Sequence, residues 1–428
     1  MYNKFIMYGK ISRVMLGDLI IAFSKALDYV DRTVANHHLR VAVIADRIAE
    51  TLNLTRNDRV TIFMAAALHD VGVFTLSEKL QLSECDFINT REHAERGYLL
   101  MKDFSMFTEV ADVIRYHHVN WDEGSGQFAE GCPIPIGSHV IHLADRIDTL
   151  INRQTEILKQ KDSIVKAIKS RLNSCYIPEI VEAFCEIAQK EYFWFDVSSP
   201  EIDETVSDLC ILPQQEVSVH ELAEIAKLFS HIIDYRSNFT AVHSAGVSAV
   251  AGLLAQLIGF SEVERRMMGI AGYLHDVGKL SVATELLEKP AKLTDEEFNV
   301  MKSHVYHSYR ILSSVKGLDT ITLWAALHHE RMDGKGYPFR LTGNDIPLGS
   351  RIMAVADVFT AVSEDRPYRK GLSEKEALLL IEVLGNNNAL DKDVVRVAAN
   401  CISEMNDVRL GIQVRAQDDY LAIRQTTV

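Results

Sequence analysis

The sequence predicts a nearly all-α fold that is divided into two tandem helical domains. Apolar residues recur at helical spacing through most of the 428-residue chain, for example at Val41, Ile44 and Ile48. Strand signals are sparse, and the length exceeds the usual size of a single hydrophobic core. The strongest indication of two domains is an internal duplication, in which chemically similar residues recur about 206–212 positions apart.

The composition is that of an ordinary globular protein, with 47% hydrophobic and 24% charged residues. The formal net charge of -14 argues against a nucleic-acid polymer as partner, because backbone binding needs clustered Lys and Arg, but it leaves room for a small anionic ligand. The six cysteines form no C-x-x-C pair and are typical of reduced cytosolic thiols. We see no signal peptide or membrane-spanning run, and therefore expect a cytoplasmic protein without a membrane partner.

In the first half, helical periodicity runs over residues 15–30 and 33–52, and Asn53 is a plausible stop. The apolar residues 60–68 then lead into His69-Asp70-Val71-Gly72. A further helical pattern covers residues 162–190, and the Ser-, Pro- and acid-rich stretch 198–214 indicates a linker. We therefore expect a first domain at 1–197, a linker at 198–214 and a second domain at 215–428.

In the second half, an apolar helix is expected from about residue 239 to the glycine at Gly259. A second apolar run, 269–274, ends at His275-Asp276-Val277-Gly278-Lys279. Thr294 and Glu297 have the spacing of a capping box, which predicts the start of the helix that carries His304. Residues 410–428 form a tail whose structure the pattern leaves open.

The adjacent histidine and aspartate that follow a buried helix indicate a charged site. Both groups need polar partners once they are removed from water. With the other candidates on separate helices, the second half offers five imidazoles and two carboxylates, enough for two transition-metal ions if Asp276 bridges them. The alternative, a satisfied core histidine, explains one such residue but not seven: His243, His275, Asp276, His304, His328, His329 and Asp357.

The first half repeats all seven positions. The His-Asp pair His69-Asp70 corresponds to His275-Asp276 at an offset of about 206 residues, and the later members correspond at about 211–212. A repeat this long indicates two copies of a domain and not a solenoid. The first-half residues, which form a candidate second, non-catalytic metal site, are His37, His69, Asp70, His93, His117, His118 and Asp145.

Several further motifs follow in order in the second half, and together they resemble the HD-GYP family of bacterial cyclic-dinucleotide phosphodiesterases. The similarity covers about residues 217–393. The motifs are His275-Asp276-Val277-Gly278-Lys279, His328-His329-Glu330, Asp333-Gly334-Lys335-Gly336-Tyr337-Pro338, and Asp357 followed by Asp365-Arg366-Pro367-Tyr368-Arg369.

The resemblance implies a catalytic centre of two metal ions about 3.5–4 Å apart, which can activate a shared water for attack on phosphorus. It assigns His243, His275, Asp276 and Asp357 to one ion, and Asp276, His304, His328 and His329 to the other. It also implies that His275, Asp276 and Lys279 are catalytic. The substrate-binding residues would be Lys279, Arg366, Arg369, Gly336, Tyr337 and Pro338. Some family members bind a third metal through a glutamate where this chain has Phe239, so we expect two. Iron or manganese is favoured, and His/Asp ligation also accommodates nickel or zinc.

The first half departs from the family pattern around its ligands. Val73 stands where Lys279 does, Val119 replaces Glu330, and Gln154 and Ile157 stand in place of the two arginines. The first domain is therefore interpreted as a degenerate HD domain that packs on the second domain and supports it.

The implied function is hydrolysis of a cyclic dinucleotide to a 5′-phosphorylated linear dinucleotide. The tandem layout resembles phosphodiesterases that degrade 3′3′-cGAMP, and cyclic di-GMP is the close alternative substrate. An alternative of another class is a non-catalytic cyclic-dinucleotide receptor or signalling scaffold. The sequence leaves the oligomeric state open.

Overall fold

The structure is a computed structural model that describes residues 13–29, 35–73, 90–209, 211–236, 241–365 and 370–425. These residues divide into two compact units. Unit one comprises residues 19–215, and unit two comprises residues 13–18 and 216–425. The small N-terminal part of unit two is joined to it by a backbone hydrogen bond from Val217 N to Val14 O of 2.8 Å.

The predicted all-α fold is confirmed. In the described parts of the chain the only strands are Phe128–Ala129 and Cys132–Pro133, an antiparallel pair in which Phe128 lies opposite Pro133. The remaining regular structure is helical, because apolar residues at a spacing of three to four can be buried only on a helix face.

Unit one is built around α2, a helix that is buried on nearly every side and packs against α3, α6 and α8. Short 3-10 helices lie at Asp122–Gln127 and Ile157–Lys159. Among the described residues of this part of the chain, the α-helices are α1 Leu16–Asp28, α2 His37–Thr51, α3 Arg56–Ala67, α4 Thr90–Met101, α5 Thr108–Arg115, α6 Ile136–Leu150, α7 Lys161–Lys169, α8 Pro178–Ile187, α9 Glu191–Ser198 and α10 Ile202–Asp208. The first residues of α1 belong to unit two.

Unit two is built around α12, which packs against α13, α17 and α20. Short 3-10 helices lie at Val277–Ser281 and Gly343–Asp345. The α-helices are α11 Val219–Asp234, α12 His243–Ile258, α13 Glu262–Leu274, α14 Thr284–Leu287, α15 Asp295–Ser313, α16 Asp319–Ala326, α17 Leu348–Ser363, α18 Glu374–Asn386, α19 Lys392–Asn400 and α20 Ile402–Gln425.

Local signals set the ends of the helices that carry the candidate ligands. The predicted capping box at Thr294 and Glu297 is present at the start of α15, where each side chain bonds the other residue's backbone N–H. An equivalent box at Ser261 and Glu264 starts α13. Gly259, with φ of 97°, ends α12 in the left-handed region that glycine adopts without strain, as predicted.

Two segments have more structure than their composition indicated. Residues 198–214, expected as a linker, contain α10, whose Ile202 and Val206 lie one turn apart and are buried within unit one. The tail left open at 410–428 is helical through Gln425 as part of α20, with Ala416 and Tyr420 buried. The division into functional domains at 1–197 and 215–428 stays a prediction.

None of the helices in the described residues has both the length and the apolar character needed to cross a membrane.

The crossing of α12 and α13 depends on Gly272. A Cβ atom at this position would lie 2.8 Å from the backbone nitrogen of Ser248 and closer still to its Cα atom. We predict that Gly272→Ala separates the two helices and lowers the free energy of unfolding by about 1–3 kcal/mol, measured by urea unfolding of the full chain.

The matched control is Gly252→Ala, on α12, where an added Cβ meets nothing within 4 Å. That change should leave stability unchanged or raise it by up to about 1 kcal/mol, because alanine is favoured over glycine inside a helix. Equal stabilities of the two variants would contradict the close approach.

Candidate functional site

The His275-Asp276 pair lies where α13 ends. His275 is the C-cap residue of α13, and its Nδ1 is 2.8 Å from the carbonyl oxygen of Gly272. Because a carbonyl only accepts, Nδ1 carries the proton and Nε2 is left with a lone pair. That Nε2 lies 3.1 Å from Oδ2 of Asp276.

His304 approaches the pair from α15 in the same way. Its Nδ1 is 2.6 Å from the carbonyl oxygen of Met301, and its Nε2 lies 3.2 Å from Oδ1 of Asp276. The close approach requires Gly278, because a Cβ atom there would overlap the carbonyl oxygen of His304. Ser308, one turn later on α15, bonds Gly278 N at 2.9 Å and the carbonyl of His275 at 2.9 Å. The turn and the helix are therefore fastened together.

The pair His328-His329 follows α16, and its two rings have centroids 4.1 Å apart. Nδ1 of His328 is 2.6 Å from the carbonyl oxygen of Ala325, so its Nε2 also points a lone pair inward. The ring of His329 lies between those of His304 and Tyr337, at centroid distances of 5.5 Å and 4.9 Å.

His243, at the start of α12, is held between two carboxylates. Its Nε2 lies 3.2 Å from Oδ1 of Asp357, on α17. Its Nδ1 lies 2.9 Å from Oε2 of Glu364, and Oε1 of the same carboxylate accepts a 2.6 Å hydrogen bond from Gln413, on α20. A carboxylate on Nδ1 fixes the ring and the tautomer of a metal-binding histidine.

These side chains form two groups of potential ligand atoms that share one carboxylate. In each group all ligand atoms lie within 4.8 Å of one another: His243, His275 and Asp276 in one, and His304, His328 and His329 in the other. Asp276 contacts histidines of both groups. The structure thus brings together all seven of the second-half residues that the sequence singled out.

The chemistry of this donor set fits divalent transition-metal ions. Nε2 of His275, His304 and His328 is buried without a hydrogen-bond partner among the described residues. Buried polar atoms are rarely left unsatisfied, and a bound ion is one of the few ways to satisfy three converging lone pairs. Neutral imidazoles and carboxylates are also the ligands that such ions prefer.

The electrostatics of the site favour positive charge. Burial raises the pKa of Asp276, but His275 and Lys279 outweigh it and hold that pKa well below its usual value. Burial lowers the pKa of His275, yet Asp276 and Asp357 outweigh it and the pKa is raised. Burial lowers the pKa of His329 to about 4, so this ring is neutral at physiological pH. The ionised Asp276 and the neutral His329 are in the protonation states that metal binding requires, and the raised pKa of His275 shows that the two carboxylates attract positive charge to this site.

Lys279 lies inside this site and not on the open surface. Its side chain is 18% exposed, and its ammonium group pairs with Oδ2 of Asp276. Arg236 bonds the carbonyl oxygen of Lys279 at 3.1 Å and thereby positions the backbone of the 3-10 helix.

The loop that contains Gly336, Tyr337 and Pro338 is held against the site by Glu330. The buried carboxylate accepts hydrogen bonds from the backbone N–H groups of Phe339 at 2.7 Å and Leu341 at 3.0 Å. At Gly336 a Cβ atom would overlap the backbone of residues 329–331, so only glycine fits this approach. Tyr337 N donates to the carbonyl oxygen of His329 at 3.2 Å.

Three expectations lie outside the described residues. Arg366 and Arg369, expected to bind phosphate, fall in 366–369, and Phe239, expected to exclude a third metal, falls in 237–240.

Glu364 and Gln413 were not among the site residues predicted from the sequence. At the offset of the duplication, Asp148 of unit one corresponds to Thr360, yet Asp148 Oδ2 lies 2.7 Å from His37 Nδ1 just as Glu364 lies against His243. The carboxylate has moved one helical turn along α17. A search for an acidic residue within one turn of Thr360 would have found it.

Unit one brings the repeated residues together as well. His37, His69 and Asp70 form one group and His93, His117 and His118 another, each with ligand atoms within 4.8 Å of one another. Asp145 Oδ1 is 3.3 Å from His37 Nε2. Burial lowers the pKa of His37, but the carboxylates of Asp145 and Asp148 outweigh it and raise it to about 10.

Comparisons with known proteins agree with this geometry. The HD domain family matches residues 34–150 and 227–394, one match in each unit. The 3′3′-cGAMP-specific phosphodiesterase 1 of Vibrio cholerae is 30% identical over 398 residues, which cover 90% of this chain and 91% of that protein. The chain belongs to the HD-GYP family. The resemblance inferred from the motifs is thereby confirmed.

Two further similar proteins show how far the likeness extends. A cyclic di-GMP phosphodiesterase response regulator of Xanthomonas campestris is 42% identical over 165 residues, 38% of this chain and 43% of that protein. A crystal structure of a cyclic GMP-AMP specific phosphodiesterase of V. cholerae matches with a TM-score of 0.62 and 23% identity, over 92% of this chain and 98% of that one. At 23% identity the likeness to this crystal structure shows the fold alone, and it includes residues of both units.

Glu364 provides a test of the metal site. Glu364→Ala removes the carboxylate that contacts Nδ1 of His243 and so weakens the restraint on the orientation of that ring. We predict that metal affinity falls by about 10–100-fold, as is typical when an outer partner of a ligand histidine is lost. Metal retained against a competing chelator, measured by elemental analysis, checks this result.

Glu404→Ala is the control, because Glu404 lies exposed on α20. Equal retention by the two variants would show that Glu364 does not position a ligand.

Proposed function

We propose that this protein is a metal-dependent phosphodiesterase that hydrolyses a cyclic dinucleotide to a 5′-phosphorylated linear dinucleotide. The observation that carries the proposal is the pair of nitrogen-rich ligand groups on either side of Asp276. Its relatives are named as phosphodiesterases of 3′3′-cGAMP or of cyclic di-GMP. Water adds to phosphorus, the bond from phosphorus to O3′ breaks, and a proton passes to O3′.

The proposed centre holds two divalent transition-metal ions, with iron or manganese favoured over nickel or zinc. His243, His275, Asp276 and Asp357 would hold one ion, and Asp276, His304, His328 and His329 the other. When bound, such ions neutralise charge on the phosphoryl oxygens and make water a stronger nucleophile at neutral pH.

The chain's own residues orient the substrate around this centre. The ammonium group of Lys279, held beside Asp276, is placed to bond a phosphate oxygen whose charge increases during the reaction. The Gly336-Tyr337-Pro338 loop, fastened by Glu330, borders the site next to His329 and would contact the nucleotide. Arg366 and Arg369 are proposed to clamp the second phosphate through charge-assisted hydrogen bonds, on the strength of the sequence alone.

Two expectations remain predictions, namely the cytoplasmic location and the supporting role of the first domain.

Substitution of the shared carboxylate in each unit tests whether unit two alone is catalytic. Asp276→Ala removes the group between the two ligand sets and should lower kcat/KM by at least about 100-fold, because several kcal/mol of transition-state stabilisation depend on the metal ions. Asp70→Ala makes the same change in unit one and should leave turnover close to that of the unchanged protein.

The assay is release of linear dinucleotide by both variants and by the unchanged protein, each checked for folding by circular dichroism. Equal losses in the two variants would refute the assignment. An unchanged protein that binds cyclic dinucleotide tightly but never releases a linear product, with manganese or iron supplied, would favour the receptor alternative.

The proposed base preference is for 3′3′-cGAMP. It rests on the names of the relatives that match most of the chain and on the tandem layout, and not on a residue that reads adenine against guanine. We predict that in a mixture of equal concentrations 3′3′-cGAMP is consumed at least as fast as cyclic di-GMP. Product analysis by chromatography measures both rates, and a strong preference for cyclic di-GMP would overturn the substrate assignment while leaving the reaction class intact.

A further inference from the structure

In unit one, an arginine contacts the carboxylate behind the first candidate histidine. Arg40 lies one helical turn after His37 on α2 and is buried. It bonds Asp148 through Nε at 2.8 Å and through Nη2 at 3.3 Å, while another contact of 2.7 Å joins Asp148 to Nδ1 of His37. A direct guanidinium–carboxylate pair thus holds the group that orients His37.

Unit two has lost both members of this ion pair. At the offsets of the duplication, Gly246 stands at the place of Arg40, and Thr360 stands at the place of Asp148. A Cβ atom on Gly246 would lie 2.5 Å from Nε2 of Gln413 and 3.0 Å from Cγ2 of Thr360. The glycine therefore leaves room for the carboxamide of Gln413, which comes from α20.

The partners of Gln413 allow its carboxamide only one orientation. Its Nε2 donates to Oε1 of Glu364 at 2.6 Å and to the carbonyl oxygen of Val242 at 3.3 Å. Its Oε1 accepts a 2.8 Å hydrogen bond from Nη1 of Arg409. Because a carboxylate and a carbonyl only accept and a guanidinium only donates, a flipped amide would lose all three hydrogen bonds.

Arg409 joins this carboxamide to a second one. Its Nη2 donates to Oδ1 of Asn406 at 2.6 Å, and Nδ2 of Asn406 donates to Oε1 of Glu374 at 2.9 Å. The guanidinium thus lies between two amides, and each amide donates in turn to a carboxylate. These contacts form a continuous chain from Glu374, at the start of α18, to His243.

Packing alone does not explain a charged side chain at position 409. Arg409 is 6% exposed, its hydrogen bonds in the described structure go to two neutral amides, and its Nε is buried there without a partner. Burial lowers the pKa of Arg409, and Glu364 and Glu374 offset this only in part. An apolar side chain of similar size would fill the place without the loss of hydration. What the guanidinium supplies, and an apolar side chain cannot, is a fixed direction for the carboxamide.

We propose that Arg409, which lies outside the ligand groups, is a positioning residue for the candidate metal ligand His243. The guanidinium sets the direction of the Gln413 carboxamide, which holds Oε1 of Glu364. The other oxygen of Glu364 lies 2.9 Å from Nδ1 of His243, and an imidazole held in this way keeps Nε2 directed at a metal. Arg409 thereby takes the part that Arg40 has in unit one, but from another helix and across an interposed amide. This inference rests on the proposed function, because it concerns a ligand of the proposed metal pair.

The test is the affinity of the full chain for manganese(II), measured by competition with a chelator after metal removal and reloading. Arg409→Met keeps an unbranched side chain but leaves Oε1 of Gln413 without its donor, so the carboxamide loses its fixed direction. The apparent Kd should rise by about threefold or more, which is less than the rise expected for loss of Glu364, because Arg409 acts at one further remove. Arg415→Met makes the same exchange at an exposed site of α20 and should leave the Kd unchanged.

A double-mutant cycle separates positioning from a general effect on the fold. In the Glu364→Ala background the carboxylate through which Arg409 acts is absent, so Arg409→Met should change the apparent Kd by less than about twofold. A residue that only supports the packing of α20 would lower the affinity by the same factor with and without Glu364. That result, or an unchanged affinity in Arg409→Met alone, overturns the proposal.

Folding of each variant is checked by circular dichroism. If Arg409→Met does not fold, the Arg409→Met/Asn406→Leu double variant takes its place in the cycle, because it also removes the amide that would be left without its donor. Failure of this inference can be told apart from failure of the proposed function. An unchanged protein that binds neither manganese nor iron overturns both, whereas manganese bound equally well by the unchanged protein and by Arg409→Met overturns only the role of Arg409.

Discussion

The geometry of both clusters depends on one repeated hydrogen bond, from an imidazole Nδ1 to the carbonyl oxygen three residues earlier. It is present at His275, His304 and His328 in unit two, and at His69 and His117 in unit one. Because the carbonyl belongs to a rigid helical turn, the bond fixes both the ring orientation and the tautomer. Every such ring then directs a lone pair inward. Helix packing brings these lone pairs together around a carboxylate, and the arrangement favours a cation.

The two units share this framework and differ in the groups placed around it. In unit two, Lys279 neutralises one oxygen of Asp276, and Glu330 holds a glycine-containing loop against the rings. In unit one, a third imidazole, His38, faces the equivalent carboxylate. A lysine ammonium can pair with an anionic group, whereas unit one has Val73 at the place of Lys279. The two units therefore share the groups of potential ligands and differ in the side chains around them.

Both units place a carboxylate on Nδ1 of their first candidate histidine, His37 in unit one and His243 in unit two, although the carboxylate comes from different positions in the sequence. Asp148 lies three residues after Asp145 on the same helix, and the corresponding residue in unit two is Thr360. Glu364, one turn further along, reaches His243 because Gln413 fixes its other oxygen from α20. The long helix at the end of the chain thus takes part in the site although its sequence carries no recognisable motif.

The helical class, the duplication and the identity of the candidate ligands can be predicted from the sequence alone. These follow from local properties, namely apolar spacing, capping signals such as Thr294 with Glu297, and residue types that need polar partners when buried. The HD-GYP family could also be predicted from the sequence, because several of its motifs occur in the family's order.

The groups that surround the candidate ligands could not be predicted from the sequence, because they are set by the packing of separate helices. Glu364 contacts a histidine 121 residues away, and His38 lies beside Asp70, on another segment. Both contacts depend on the angles and distances at which separate helices pack, and a shift of one turn along a helix changes which side chain arrives. The helix at Ile202–Asp208 and the continuation of α20 through residue 425 depend in the same way on packing partners that supply a surface for their apolar faces.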